Sequence, residues 1–178
     1  MIKIEIPQTD LWDQKNEEFI SVAKTTLKLE HSLISLHKWE SKWHKPFLDK
    51  TRNKSLEEQL DYVKCMTINE VDKNVYGCLN QKQLDEIDEY INEPMTATTI
   101  YSRHSSNNSD PITAEIIYYW MISLHIPKEF EKWHLNQLFT LIKVCSIKNA
   151  PKEEQNQAEI ISEFEKINSE RQKQFKKG

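Results

Sequence analysis

The sequence predicts an α+β domain that is predominantly α-helical, with a small antiparallel β element at the N-terminus followed by a helical bundle. Three observations support this class. "IKIEI" at residues 2–6 alternates apolar and polar side chains with the period of a half-buried strand, and "EEFISV" and "TTLKLEH" follow at short spacing. Beyond Ser32 the apolar residues change to the three- and four-residue spacing of helices. Two capping boxes then mark helix starts, Ser55 with Glu58 and Asn80 with Gln83. At 178 residues the chain suits one globular domain over residues 1–149. A charged tail, helical or disordered, is expected over residues 151–178, where Glu, Gln, Lys and Asn replace the apolar residues.

Ser32 is suited to N-cap the first helix, and the His44-Lys45-Pro46 step begins to end it. On that helix Leu33, Leu36, Trp43 and Phe47 share one arc, with Glu40 inside it. Ser55 opens "LEEQLDYVKCM", and Asn80 opens a third helix that Pro94 punctuates. "MTATTIY", residues 95–101, is rich in β-branched residues and reads as a strand or extended segment; "SRHSSNNSD" after it is a polar loop. Asp110 as N-cap and Pro111 at the first helical position predict a helix beginning "ITAEIIYYW". This helix is apolar nearly all round and is expected at the centre of the bundle. Pro127 separates it from "KEFEKWHLNQLFTLIKVCSI", whose mostly polar side holds Lys132, Asn136, Thr140, Lys143 and Ile147. The short connection predicts that these two helices pack as an antiparallel pair.

Composition removes several function classes. Lys and Arg number 24 against 28 Asp and Glu, a formal net charge of −4, so the chain presents no basic field for nucleic acid. Its apolar runs are broken well short of a membrane span, and the reading is a soluble intracellular protein. The three cysteines lack CxxC spacing, which argues against a disulfide framework and a zinc ribbon. Glycine occurs only at Gly77 and Gly178, too few for a P-loop, a dinucleotide-binding turn or a nucleophile elbow. No cofactor is expected.

Several side chains still invite chemistry. His37, Glu40 and His44 lie three and four residues apart on one helix, but a zinc site needs further ligands, and His31 could join only if the preceding strand folds back. The competing reading pairs Glu40 with His37, His44 or a lysine, and no metal is expected. Glu40 and Glu115 are the acidic residues set in strongly apolar surroundings, which suits a structural hydrogen bond or ion pair as well as acid–base work. Cys145 and His134 share a rough face but lie too far apart to touch within one straight helix. No catalytic residue is expected. Among the five tryptophans, Trp120 and Trp133 are expected in the core. Trp39 and Trp43, at i and i+4 on a charged helix, are candidate partner-binding anchors, one of them partly exposed. In the tail Ile160, Phe164 and Ile167 form a narrow apolar stripe suited to a groove on a partner or on a second copy of the chain, which would make a homo-oligomer.

The blocks "LEHSLISLHKWESKWHKPFL", "DYVKCMT", "YINEPMTAT" and "ITAEIIYYWMISLHIPKEFEKWHLNQLFTLIKVCSIKN" resemble, in order and spacing, a family encoded among the tail genes of long-tailed bacteriophages, the tail assembly chaperones. The resemblance covers residues 1–149. It implies a largely helical, non-enzymatic protein of the host cytoplasm that binds the phage tape measure protein and tail-tube subunits during tail morphogenesis. A permanent structural component of the tail or head–tail junction is the alternative.

Overall fold

The computed structural model describes residues 1–13, 17–49, 51–98 and 111–149. The chain runs through β1 (Ile2–Ile6), β2 (Thr9–Asp13), β3 (Glu18–Val22), β4 (Thr25–Leu29), α1 (Leu33–Trp43) and α2 (Leu56–Met66). A 3₁₀ turn (Lys73–Cys78), α3 (Gln81–Asn92), α4 (Ala114–Ser123), a second 3₁₀ turn (Lys128–Lys132) and α5 (Leu135–Asn149) follow. The arrangement is α+β, antiparallel strands first and helices after. Contacts divide the chain into Met1–Cys145 and Ser146–Gly178, and of the second unit only the last residues of α5 are described.

The β element has four strands in two antiparallel ladders, β1 with β4 and β2 with β3. In the outer ladder Ile4 faces Leu27 and Ile2 faces Leu29. Ile4, Ile6, Leu27 and Leu29 point into the core while Lys3, Glu5 and Lys28 point to water, the period-two pattern predicted. The inner ladder continues the same hairpin past a break. Pro7 has no N–H to give, and the Thr9 and Thr25 hydroxyls donate back to the carbonyls of Pro7 and Ala23, at 3.1 and 2.9 Å. Strand β2 was not anticipated, because "TDLWD" sets an aromatic on its outer face and so breaks the apolar–polar alternation. Its Leu11 faces the first 3₁₀ turn, with Cδ1 3.4 Å from where a Cβ on Gly77 would stand.

The first three helix starts follow from their caps. The Ser35 N–H donates to the Ser32 hydroxyl and the Ser32 N–H donates to Ser35 Oγ, at 3.3 and 2.8 Å. The capping boxes at Ser55/Glu58 and Asn80/Gln83 are both formed. His44 ends α1 in the left-handed region, φ 53°. Leu33, Leu36 and Trp39 of α1 meet Tyr62 and Met66 of α2 and the inner face of β1 and β4 in one core. Each such side chain contributes about 1.5–3 kcal/mol on full burial.

Four expectations fail in the second half. No strand forms over residues 95–98; the backbone there is irregular, with Met95 at φ 52°, and residues 99–110, including the expected polar loop and Asp110, lie outside the described residues. Helix α4 starts at Ala114 with Thr113 in the N-cap position, so Pro111 precedes the helix. It is also not central: only Ala114, Ile117 and Met121 are buried, and the side away from α1 stays open. Finally, α5 begins at Leu135 because Pro127 and the second 3₁₀ turn intervene, and α4 and α5 do not pack as a close antiparallel pair. Instead α4 lies on α1. The start of α5 is tied elsewhere: the Leu135 N–H donates to the His31 carbonyl at 2.7 Å, and the Asn136 amide donates to the carbonyls of Ile91 and Glu93 at 3.0 and 2.8 Å.

Candidate functional site

The tryptophans of α1 occupy different environments. Trp39 has no exposed surface: its indole N–H donates to the Glu58 carbonyl at 2.9 Å, and its ring meets Phe47 edge-on at 4.9 Å. Trp39 therefore cannot touch a partner, which corrects the expectation for that residue. Its charged sequence neighbours concealed that it lies one helical step from Leu36 and Trp43 on the inward arc. Trp43 is half-buried and stacks on Trp39 at 6.0 Å. Its indole N–H donates to Asp61 Oδ2 at 2.8 Å, and Lys42 Nζ donates to Asp61 Oδ1 at 2.5 Å. Burial works to raise the Asp61 carboxyl, but these two donors outweigh it and hold its pKa low.

Buried Glu58 is likewise engaged. The Ser55 N–H donates to Oε2 at 2.9 Å, while Lys45 at 3.0 Å and Arg52 donate to Oε1. The Ser55 amide foremost, then Lys45, holds its pKa down to about 2.

Glu40 makes structural hydrogen bonds, as expected, but not with the histidine or lysine partners expected. Neither histidine nor lysine pairs with it at hydrogen-bond distance. The Phe47 N–H donates to Oε1 at 2.9 Å and the Ala114 N–H donates to Oε2 at 2.7 Å. One carboxylate from α1 thus fixes the chain after α1 and caps the first turn of α4, supplying the acceptor that Thr113 does not. Desolvation raises its pKa against the pull of the two N–H groups. Glu115 sits at 4.0 Å from His37 Nδ1, both well exposed. Among the described residues no group of three or more His, Cys, Asp and Glu is placed to hold a metal ion.

A second buried polar group joins α1, α2, α3 and α5. His31 Nδ1 lies 2.6 Å from the Tyr62 hydroxyl, and the His31 and His134 rings meet edge-on with centroids 5.1 Å apart. His134 Nε2 lies 3.0 Å from the Tyr90 carbonyl and its Nδ1 accepts the Asn136 N–H at 3.3 Å, so this ring carries its proton on Nε2. Tyr90 in turn donates to Glu30, which also pairs with the N-terminal ammonium at 2.8 Å. Desolvation, then the neighbouring His134, lowers the His31 pKa to about 3; desolvation lowers that of His134 as well. Among the described residues every buried acid or imidazole is therefore engaged by backbone or by a neighbouring side chain.

The surface that remains apolar lies elsewhere. Tyr119 and Ile122, one turn apart on the outer side of α4, are 66% and 75% exposed. Trp120 packs against the core only in part, and Trp133 is 38% exposed beside Phe130, which corrects the expectation that it belongs to the core. Trp133 falls in the extended backbone after the 3₁₀ turn, not on the helix that its spacing suggested. On the β2–β3 hairpin Trp12 and Phe19 face each other across the strands, ring centroids 4.9 Å apart, 51% and 71% exposed. The tail positions Ile160, Phe164 and Ile167 lie outside the described residues. No helix among the described residues is long and apolar enough to cross a membrane.

The fold and these sites define an α+β domain with engaged buried acids and imidazoles and with uncovered aromatic and aliphatic side chains on α4 and the inner hairpin. Comparison with protein-family models, with curated proteins and with solved structures finds no match.

Proposed function

We propose that the protein works without catalysis, as a bacteriophage tail assembly chaperone that covers apolar segments of the tape measure protein and tail-tube subunits in the host cytoplasm. The observation that carries this reading is the outer face of α4. A helix with no wide polar side buries one stripe and leaves Tyr119 and Ile122 in water. Burying side chains of this size is worth about 1.5–3 kcal/mol each, so a partner that covers them gains binding energy the isolated domain forgoes. The same helix opens the longest block of the phage-family resemblance, residues 112–149. The engagement of Glu40, Glu58, Asp61, His31 and His134 in holding backbone and neighbours supports a binding role over an acid–base one.

Two measurements test the proposal. Co-expression with the tail gene products of the same phage should yield a complex with the tape measure or tail-tube protein. Mass spectrometry of purified virions should find the protein absent or in trace. Stoichiometric presence in the virion would instead make it a permanent tail or head–tail component, and failure to bind any tail product would end both readings.

A further inference from the structure

A cleft of about 450 Å³ opens between α2, α3 and the segment that joins α1 to α2. That volume lies within the range of small-ligand sites. Its floor is apolar, formed by the buried Phe47, Tyr62, Val63 and Ile87 with Leu84 beside them. Arg52 and Lys54 stand on one rim, Asp85 and Asp88 on the other.

The two cations differ. Arg52 donates to the Glu58 carboxylate, which also takes Lys45. Lys54 makes no ion pair among the described residues. Its ammonium lies over the Phe47 ring, 4.5 Å from the centroid. The acid on its own segment, Asp49, is occupied by the Thr51 hydroxyl and N–H at 2.7 and 2.9 Å. Partial loss of water, then the repulsion of Arg52, lowers the Lys54 pKa, and the carboxylates of Asp49, Glu58 and Asp88, none of them at ion-pair distance, oppose the shift without reversing it.

We propose that this cleft binds an apolar carboxylate, its hydrocarbon body on Leu84 and Ile87 and its carboxylate paired with Lys54. The ligand supplies the counter-ion that Lys54 lacks. Asp85 and Asp88 repel an anion from the opposite rim, so only one orientation is favourable. The chemistry fits a free aryl or alkyl acid, and equally the C-terminal residue of another polypeptide. The proposal stands on the cleft alone and is independent of the α4 face.

The full chain, labelled with ¹⁵N, is titrated with N-acetylphenylalanine, 3-phenylpropionate and N-acetylphenylalaninamide. The acids should shift amides around Lys54, Leu84 and Ile87, and the uncharged amide should bind about tenfold more weakly, the worth of one charge-assisted contact. Tighter binding of N-acetylphenylalanine than of 3-phenylpropionate assigns the cleft to a chain end, and the reverse order to a free acid. Lys54→Gln, at the rim, should keep the spectrum of the fold and erase the preference for acid over amide. Leu84→Trp should fill the cleft and abolish both. Equal affinity for acid and amide, a preference that survives Lys54→Gln, or absence of shifts in the cleft from either acid would overturn the proposal.

Discussion

The buried imidazoles make the domain sensitive to mild acid. His31 is 2% exposed, touches the Tyr62 hydroxyl and the His134 ring, and has its pKa lowered from 6.5 to about 3 by burial and by that neighbour. A base whose folded pKa is lowered takes up its proton first in the unfolded chain. Its contribution is therefore complete above pH 6.5, falls as the pH drops, and levels off below about 3. Each pH unit inside the window removes up to about 1.4 kcal/mol, and the whole window is worth roughly 5 kcal/mol. Between pH 7 and 5.5 the loss from His31 alone is about 1 kcal/mol, and His134 adds to it with the same sign. Glu58 and Asp61, held below their ordinary values, lose their contributions only further into acid, and Glu40, whose folded pKa is raised, acts with the opposite sign, so the histidine share is read as the difference in slope between the parent and the histidine variants. Urea unfolding followed by tryptophan fluorescence at the two pH values measures the slope. His31→Gln, which keeps a polar group beside Tyr62, should reduce it, and His31→Gln with His134→Gln should nearly flatten it. An unchanged slope in the double variant, or a His31 imidazole that titrates near 6.5 by NMR, would refute the reasoning.

Further outcomes follow from the interior of α1. Trp39→Ala should cost about 3–5 kcal/mol as a fully buried large-to-small change, and Trp43→Ala clearly less; equal losses in urea midpoint would contradict the burial difference. Glu40→Gln offers its NH₂ to one of two N–H donors, so it should cost about 1–3 kcal/mol. Its signature is faster hydrogen exchange at Phe47 or Ala114, and unchanged exchange at both would remove Glu40 as the cap of α4. Tyr119→Ser with Ile122→Ser should shift stability by no more than about 0.5 kcal/mol, since both side chains are exposed. A large loss would place them in packing that the fold does not contain.

Local signals carried much of the first half of the chain. Ser32, Ser55 and Asn80 bond their own N3 residues, so three helix starts were readable within four residues of sequence. Strands β1 and β4 bury one face and therefore alternate. The features that were not readable depend on residues far apart. The cap of α4 comes from Glu40 across many intervening residues, so the local Asp110-Pro111 signal pointed to the wrong start. His31 and His134 meet only because α5 is tied to the start of α1, and a histidine carries no periodic signature of its own. An all-round apolar helix reads as central whether or not a neighbour covers each side, which is why the open face of α4 escaped notice. Trp39 was misplaced for the converse reason: charged residues at 38, 40 and 42 surround it in sequence, yet Glu40 itself turns inward.

A photo-crosslinking residue placed at Ile122 in the full chain, co-expressed with the tape measure and tail-tube proteins of a long-tailed phage, tests the proposed role of the α4 face. An irradiation-dependent adduct with one of those proteins should form from position 122, and none from an exposed control position such as Lys82 on α3. Adducts of equal yield from both positions, or a stable complex in which position 122 gives none, would contradict that role.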